Sequence, residues 1–299
     1  MKESTPSRTA AWVALARGMA SHLPPDARLA EDPYGAEFED DGARRRLHAL
    51  LERARVPVHR FPAVMRWILY MQVRTRVIDD AVRAFVAAGG RQLVLLGAGY
   101  DTRALRLPEL AGVHVLEVDH PATQSHKQAV LARLGATSPS TYVTWDFEAR
   151  AMDELPGALA EAGLDRTAPA FTIWEGVTMY LTERAIDASL RAIRAWSPPG
   201  SRLAMTYFAR SRLERPSLAT RAIRAVVSRV GEPWRFGWEP QELPAYLAAR
   251  GFRLERDVSF GDAARELLPA SFAAMLQGQD RRISFASAHE SIALGASIS

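Results

Sequence analysis

Apolar positions along this chain fall at helical spacing in its first third and in short unbroken runs after it, and that change of period divides the molecule. Residues 7–20 carry Trp12, Leu15, Ala16 and Met19 at i, i+3, i+4 and i+7, which predicts a helix lying with that stripe on a larger body. A turn at Pro24 and Pro25 and the segment E-D-P-Y lead to a second helical region ending near Pro57. From Pro62 to Ala88 a long helix presents Trp67, Met71, Ile78, Ala81 and Phe85 on one face, and Arg74 occupies the missing place in that series. The runs begin at Gln92 with Leu93 to Leu96, a strand apolar enough to be buried on both faces. Further strands are expected at 113–119, 141–146, 170–175 and Arg202 to Phe208, separated by helices at Pro121 to Leu134 and Thr182 to Trp196. This alternation predicts a doubly wound α/β domain over residues 89–299, preceded by a helical extension over residues 1–88. An insertion at 209–240 is expected to form a lid. Leu218, Ala222, Val226 and Val230 share one face there, Arg215, Arg221, Arg224 and Arg229 lie elsewhere, and Trp234, Phe236 and Trp238 follow.

Composition narrows the possibilities. With 299 residues, 48% of them hydrophobic, the chain can build a full core, and with no cysteine it has no disulfide, thiolate metal site or cysteine nucleophile. The net charge of +4 rests almost entirely on arginine, since Lys2 and Lys127 are the only lysines. That usage reads as a coding bias rather than a nucleic-acid surface, so no nucleic-acid partner is expected. The start M-K-E-S-T-P-S-R-T lacks a signal-peptide core, and no run approaches 18 uncharged apolar residues, so a soluble cytoplasmic protein with no membrane partner is expected. The histidines form no metal-ligand spacing with acids, and no metal is expected.

The first strand stops at Gly97, Ala98 and Gly99 and then Asp101, a tight strand-to-helix bend that leaves room for a ligand at the peptide groups. A dinucleotide loop would have a third glycine where Thr102 stands, so the occupant is expected to lack a pyrophosphate. Three acids mark the ends of the following strands. Asp119, 20 residues after Gly99, is spaced to accept from ribose hydroxyls, or else to cap the helix at Pro121. Asp146 can accept from the exocyclic amine of adenine while the Phe147 N–H faces a ring nitrogen, or else closes a plain turn. Glu175 beside Gly176 can accept from an ammonium group. Arg74, within an apolar stripe, needs an anion: a ligand carboxylate held bidentately, or an internal partner such as Asp79, Asp80 or Asp101. An arginine for a carboxylate and acids for ribose, amine and ammonium together describe S-adenosylmethionine.

The same residues fall in blocks that resemble the leucine carboxyl methyltransferase family, and more closely its bacterial branch. The blocks are S-R-T-A-A-W-V-A with D-P-Y, R-T-R-V-I-D-D at 74–80, L-G-A-G-Y-D-T-R-A-L-R-L at 96–107, L-E-V-D-H-P at 116–121, W-D-F at 145–147, E-G-V-T-M-Y-L-T at 175–182 and G-E-P-W-R-F-G at 231–237. The resemblance implies a class I methyltransferase sheet, Rossmann-like, with seven strands ordered 3-2-1-4-5-7-6 and the seventh antiparallel; residues 252–258 and 281–288 would supply the last two. It implies Arg74 on the methionyl carboxylate, Gly97, Ala98 and Gly99 at the loop contact, Asp119 on the ribose, Asp146 and Phe147 on the adenine and Glu175 near the amino group. Arg17, with Asp32 after it, is the candidate for the family's N-terminal basic residue; lying off the stripe, it also reads as a solvated side chain.

Methyl transfer from a sulfonium relies mainly on holding the acceptor oxygen in line, so a carboxylate acceptor needs no base, whereas a hydroxyl would. Tyr180 and Tyr207 are candidates for the acceptor side, with core packing as the alternative. His120 is a candidate base, or a merely exposed residue at a helix start. The arginines and aromatics of the lid suggest a small acceptor that is acidic and partly apolar. The expected function is O-methylation of a small organic carboxylate or hydroxyl. The alternatives are methylation of a protein or peptide C-terminal carboxylate, and a non-catalytic cofactor-binding partner. A nicotinamide dehydrogenase is disfavoured by Thr102 and by Thr123, which stands where a catalytic tyrosine would precede Lys127.

Overall fold

In the computed structural model, residues 6–39, 42, 61–214, 221, 234–278 and 281–289 are described. The lid positions at 215–220 and 222–233, and residues 40–41 and 43–60 of the stretch expected to hold a helical region ending near Pro57, lie outside them. Seven strands form the sheet: β1 (Gln92–Leu96), β2 (His114–Asp119), β3 (Thr141–Thr144), β4 (Phe171–Trp174), β5 (Arg202–Phe208), β6 (Phe252–Ser259) and β7 (Arg281–Ala288). Their order is β3-β2-β1-β4-β5-β7-β6. β1 pairs in parallel with β2 and β4, whereas β7 pairs antiparallel with β5 and β6. This is the predicted sheet.

The unbroken apolar run of β1 serves both faces by alternation. Leu93 and Leu95 pack on one side with Ile68, Met71 and Ile78 of the long helix α2 (Pro62–Ala87), after the N-terminal α1 (Arg8–Gly18). Val94 and Leu96 pack on the other side with Leu155, Ile186, Leu190 and Trp196. Between them the two layers cover the parallel core of the sheet, so its ligand-accessible part is the edge at the carboxyl ends of the strands.

α1 buries only half of the stripe that periodicity predicts: Ala16 and Met19, just past the helix end, enter the core. Trp12 and Leu15 are half-buried, whereas Ala11, Ala14, Ala16 and Arg17 are buried. Close backbone approach decides this. A Cβ on Gly35 would lie 2.3 Å from the Ala14 carbonyl oxygen, and one on Gly18 would lie 2.4 Å from the Ala36 nitrogen. A face that close accepts only small side chains, and the rotation it imposes carries Arg17 inward. The reading of Arg17 as solvated is therefore corrected: it is 8% exposed. No described helix is long and apolar enough to cross a membrane.

Candidate functional site

The loop after β1 is built on two glycines in left-handed backbone, Gly97 at φ 71° and Gly99 at φ 54°. A side chain at Gly97 would also meet Val177 Cγ2 at 2.7 Å, so both conformation and space exclude other residues. Asp119 at the end of β2 ties the loop down: its Oδ2 accepts from Gly99 N–H at 2.6 Å and its Oδ1 from His120 N–H at 2.7 Å. Each oxygen keeps a free lone pair for a further donor. Burial raises the Asp119 carboxyl to about 6, against the lowering effect of those two N–H groups. Asp119 is not the helix cap. That place belongs to His120, whose Nδ1 accepts from Ala122 N–H at 3.2 Å at the start of the helix Pro121–Arg133. An accepting Nδ1 puts the neutral ring's proton on Nε2, which faces Asp146 Oδ2 at 3.8 Å. At 6% exposure His120 is buried, which corrects the reading of it as an exposed helix-start residue.

Asp146 lies just past β3, where its Oδ1 accepts from the N–H groups of Glu148 and Ala149. Those bonds, the Glu148 N–H first, hold its carboxyl below the ordinary range. The neighbouring Phe147 is 40% exposed, a large apolar ring left uncovered at the mouth of the strand edge. Turn closure and ligand contact are compatible at Asp146, because Oδ2 is outside the turn.

The charged centre of the site lies between α2 and the end of β4. Arg74 is 5% exposed, and its Nε stands 2.5 Å from Glu175 Oε1. The two form a buried contact ion pair in which Nε is not aligned for a linear hydrogen bond. Glu175 Oε2 is 2.9 Å from Arg103 Nη1. Burial pushes the Glu175 carboxyl up, but the guanidinium groups of Arg74 and Arg103 outweigh it and hold it below the usual range. The expectation that an internal partner for Arg74 would be Asp79, Asp80 or Asp101 is corrected, since Asp79 and Asp101 serve Arg103 instead. Arg103 Nε donates to Asp79 at 2.7 Å, Arg106 Nη1 meets the same carboxylate at 2.5 Å, and Asp101 accepts from both the Arg103 backbone and its guanidinium. Asp101 is held well below its usual range despite burial, chiefly by Arg103.

Arg17 closes the back of the loop. Its Nε donates to Asp32 at 2.9 Å and its Nη2 to the Tyr100 carbonyl at 2.5 Å. Asp32 is fixed in turn by accepting from Tyr34 N–H at 3.2 Å, which gives the D-P-Y segment a physical role.

Of the two tyrosines, Tyr180 is half-buried beside Met179, Phe208 and Trp234. Tyr207 is 1% exposed, with its ring against Trp238 and its hydroxyl donating to Asp257 at 2.9 Å. Burial and Asp257 raise its pKa far beyond the ordinary phenol. Alternation along β5 sends Tyr207 to the sheet face away from α2 and Phe208 to the opposite one, beside Arg281 and Met179, so Tyr207 is corrected from a site candidate to a core residue. Trp238 is buried in the core with Phe236 packed against it, and Trp234 packs with Met179 and Phe208. Among the described residues no group of three or more His, Asp or Glu side chains is placed to hold a metal.

Arg103 escaped the sequence reading, although a local signal existed. An arginine at the first position of a helix, here Arg103–Arg106, opposes the helix dipole and implies fixed carboxylates nearby. Thr206, whose hydroxyl accepts from Gly176 N–H at 2.7 Å and so fixes the turn behind Glu175, gave no such signal.

The family model described as leucine carboxyl methyltransferase matches residues 10–194. A provisionally named S-adenosyl-L-methionine-dependent methyltransferase of Mycobacterium sp. (strain JLS) is 34% identical over 266 residues, 84% of each chain. One so named from Streptomyces coelicolor is 39% identical over 198 residues, 66% of this chain and 64% of that protein. Another, from Mycobacterium sp. (strain KMS), is 40% identical over 197 residues, and the chain spans 62% of its length. Among solved structures, a provisionally named methyltransferase from Thermobifida fusca YX superposes with a TM-score of 0.57 at 19% identity over 96% of both chains. A DUF574 family protein from Streptomyces avermitilis gives 0.56 at 18% identity, covering 92% of this chain and 97% of that one. These two share the fold.

Proposed function

Because the chain belongs to the leucine carboxyl methyltransferase family, we propose that it is an S-adenosylmethionine-dependent O-methyltransferase acting on a carboxylate or hydroxyl of a small organic molecule. The observation that carries this reading is the buried Arg74–Glu175 ion pair beside the glycine loop. A guanidinium and a carboxylate held face to face are complementary to an amino-acid zwitterion. The methionyl carboxylate satisfies Arg74 while the ammonium group takes the Glu175 charge. The remaining donor set fits the rest of the cofactor. Asp119 has lone pairs for a ribose diol, the Gly97, Ala98 and Gly99 backbone allows close approach, and Asp146 with the Phe147 N–H and ring suits adenine. Asp146 is oriented by the Glu148 and Ala149 N–H groups, and Arg17 holds the loop rather than the ligand.

When bound, the cofactor supplies an electrophilic methyl group. The chain's part is to fix that group and an acceptor oxygen in line and to exclude water, which is where most of the acceleration of such a transfer arises. Tyr180, Met179 and Phe208 adjoin the end of β5 and would line the acceptor side. A carboxylate acceptor arrives deprotonated and needs no base; a hydroxyl acceptor would need one, and none is assigned.

Incubation with methyl-labelled cofactor and separate small-molecule, protein and RNA fractions tests the acceptor class. Label is expected in small molecules. Base-labile label in the protein fraction would move the acceptor to a protein carboxylate, and label confined to RNA would overturn the reading.

A further inference from the structure

We propose that Arg281 is the anchor for the carboxylate of the methyl acceptor, and that the acceptor carries that carboxylate on a small aromatic body. The inference rests on the methyltransferase reading and extends it to the other ligand. Arg281 is 7% exposed at the first position of β7, in register with Phe208 at the last position of β5. Since β7 runs antiparallel, its start lies at the carboxyl end of β5, on the same sheet edge as Glu175.

Its surroundings are rings. The guanidinium carbon is 4.2 Å from the centroid of Tyr70 on α2 and 5.4 Å from that of Phe208. Tyr70 stacks in turn on Phe260 at 4.4 Å, and Phe208 meets Trp234 edge-on at 4.6 Å. Among the described residues Arg281 makes no hydrogen bond and no ion pair, and its Nε is enclosed without a partner. Every other buried guanidinium near the site has a carboxylate: Arg17 has Asp32, Arg74 has Glu175, and Arg103 and Arg106 share Asp79. The next residue, Arg282, is also satisfied, by Asp257 at 2.7 Å on the opposite sheet face. Attraction to ring faces recovers only part of the hydration a buried cation loses, so Arg281 is left with charge for an anion from outside.

Location connects that anion to the chemistry. The Arg74 guanidinium lies 5.9 Å from the centroid of the same Tyr70 ring, so one aromatic side chain separates the cofactor-facing arginine from Arg281. A planar fork in an aromatic wall selects a carboxylate by bidentate hydrogen bonding and selects the group carrying it by ring contact.

The test uses the full chain saturated with S-adenosylhomocysteine, whose affinity is measured first, and the probes benzoate, 3-phenylpropionate, benzyl alcohol, benzamide and inorganic phosphate. Dissociation constants come from saturation-transfer NMR. The wild type is expected to bind the two carboxylates at least about tenfold more tightly than the neutral probes or phosphate. Arg281→Met is expected to abolish that preference while S-adenosylhomocysteine affinity stays within about twofold. Arg281→Lys, which keeps the charge and loses the fork, is expected to retain part of the preference and serves if the methionine variant does not fold. Failure of S-adenosylhomocysteine to bind would sink the methyltransferase reading itself. With it bound, a wild type indifferent to the carboxylate, a preference for phosphate, or a preference that survives in Arg281→Met would overturn this inference alone.

Discussion

Arg74 and Arg281 flank one tyrosine ring, yet one lies among carboxylates and the other among aromatic rings. On the Arg74 side, Glu175, Asp101 and Asp79 interlock with Arg103 and Arg106, so charge is balanced before any ligand arrives. On the Arg281 side there is a cation and no described counter-ion. A pre-balanced network can exchange partners with a zwitterion at little electrostatic cost. A surplus cation instead gains net attraction from an anion. The contrast fits a molecule with one dipolar and one anionic ligand.

The largest effect should come from breaking the balanced side at its hub. Arg103→Met leaves Asp79, Asp101 and Glu175 short of a partner inside the fold, and a loss of about 3–5 kcal/mol of apo stability is expected by chemical denaturation. Arg74→Met should behave differently, because Arg103 still holds Glu175. Calorimetry should show cofactor affinity weakened by about 2–4 kcal/mol while apo stability changes far less. Equal apo losses in the two variants would erase the distinction between hub and exchangeable partner.

Asp119→Ala should cost about 2–3 kcal/mol of cofactor affinity through the lost ribose bonds, with the fold retained. Its pH dependence has a definite sign. The folded carboxyl sits near 6 and the unfolded one near ~3.9, so its contribution to apo stability is present below about 4 and is lost as pH rises through about 6. Cofactor binding needs the ionised acceptor and should weaken as pH falls through the same value. Calorimetric titrations from pH 7.5 to 5 would reveal it, and Asp119→Asn should flatten the profile. The smallest effect is expected from Tyr207→Phe, which removes one hydrogen bond to Asp257 for about 1 kcal/mol of stability and leaves methyl transfer at wild-type rate.

The legible part of this molecule was whatever repeats with a short period or sits in a short motif. β1 announced itself by four apolar residues and two glycines, and Arg74 by interrupting an apolar stripe. Two classes of feature were hidden. Pairing across long separations was one: that Glu175 would face Arg74, or that Arg17 would reach the Tyr100 carbonyl, depends on the packing of α1 and α2 against the sheet. The other was side-chain facing at a strand end, where one step along β5 exchanges Tyr207 for Phe208. Arg281 combined both, since nothing at its own position distinguishes it from Arg282 until the sheet is assembled.

The central claim, that the strand edge beside Gly97 and Gly99 holds S-adenosylmethionine, is tested most directly by thermal unfolding of the wild-type chain with S-adenosylmethionine, S-adenosylhomocysteine, NAD or no ligand. Ligand at 100 times its dissociation constant should add about 2.7 kcal/mol of stability, seen as a raised melting temperature with the first two compounds and none with NAD. A shift with NAD alone, or no shift with either sulfur compound at millimolar concentration, would contradict the account.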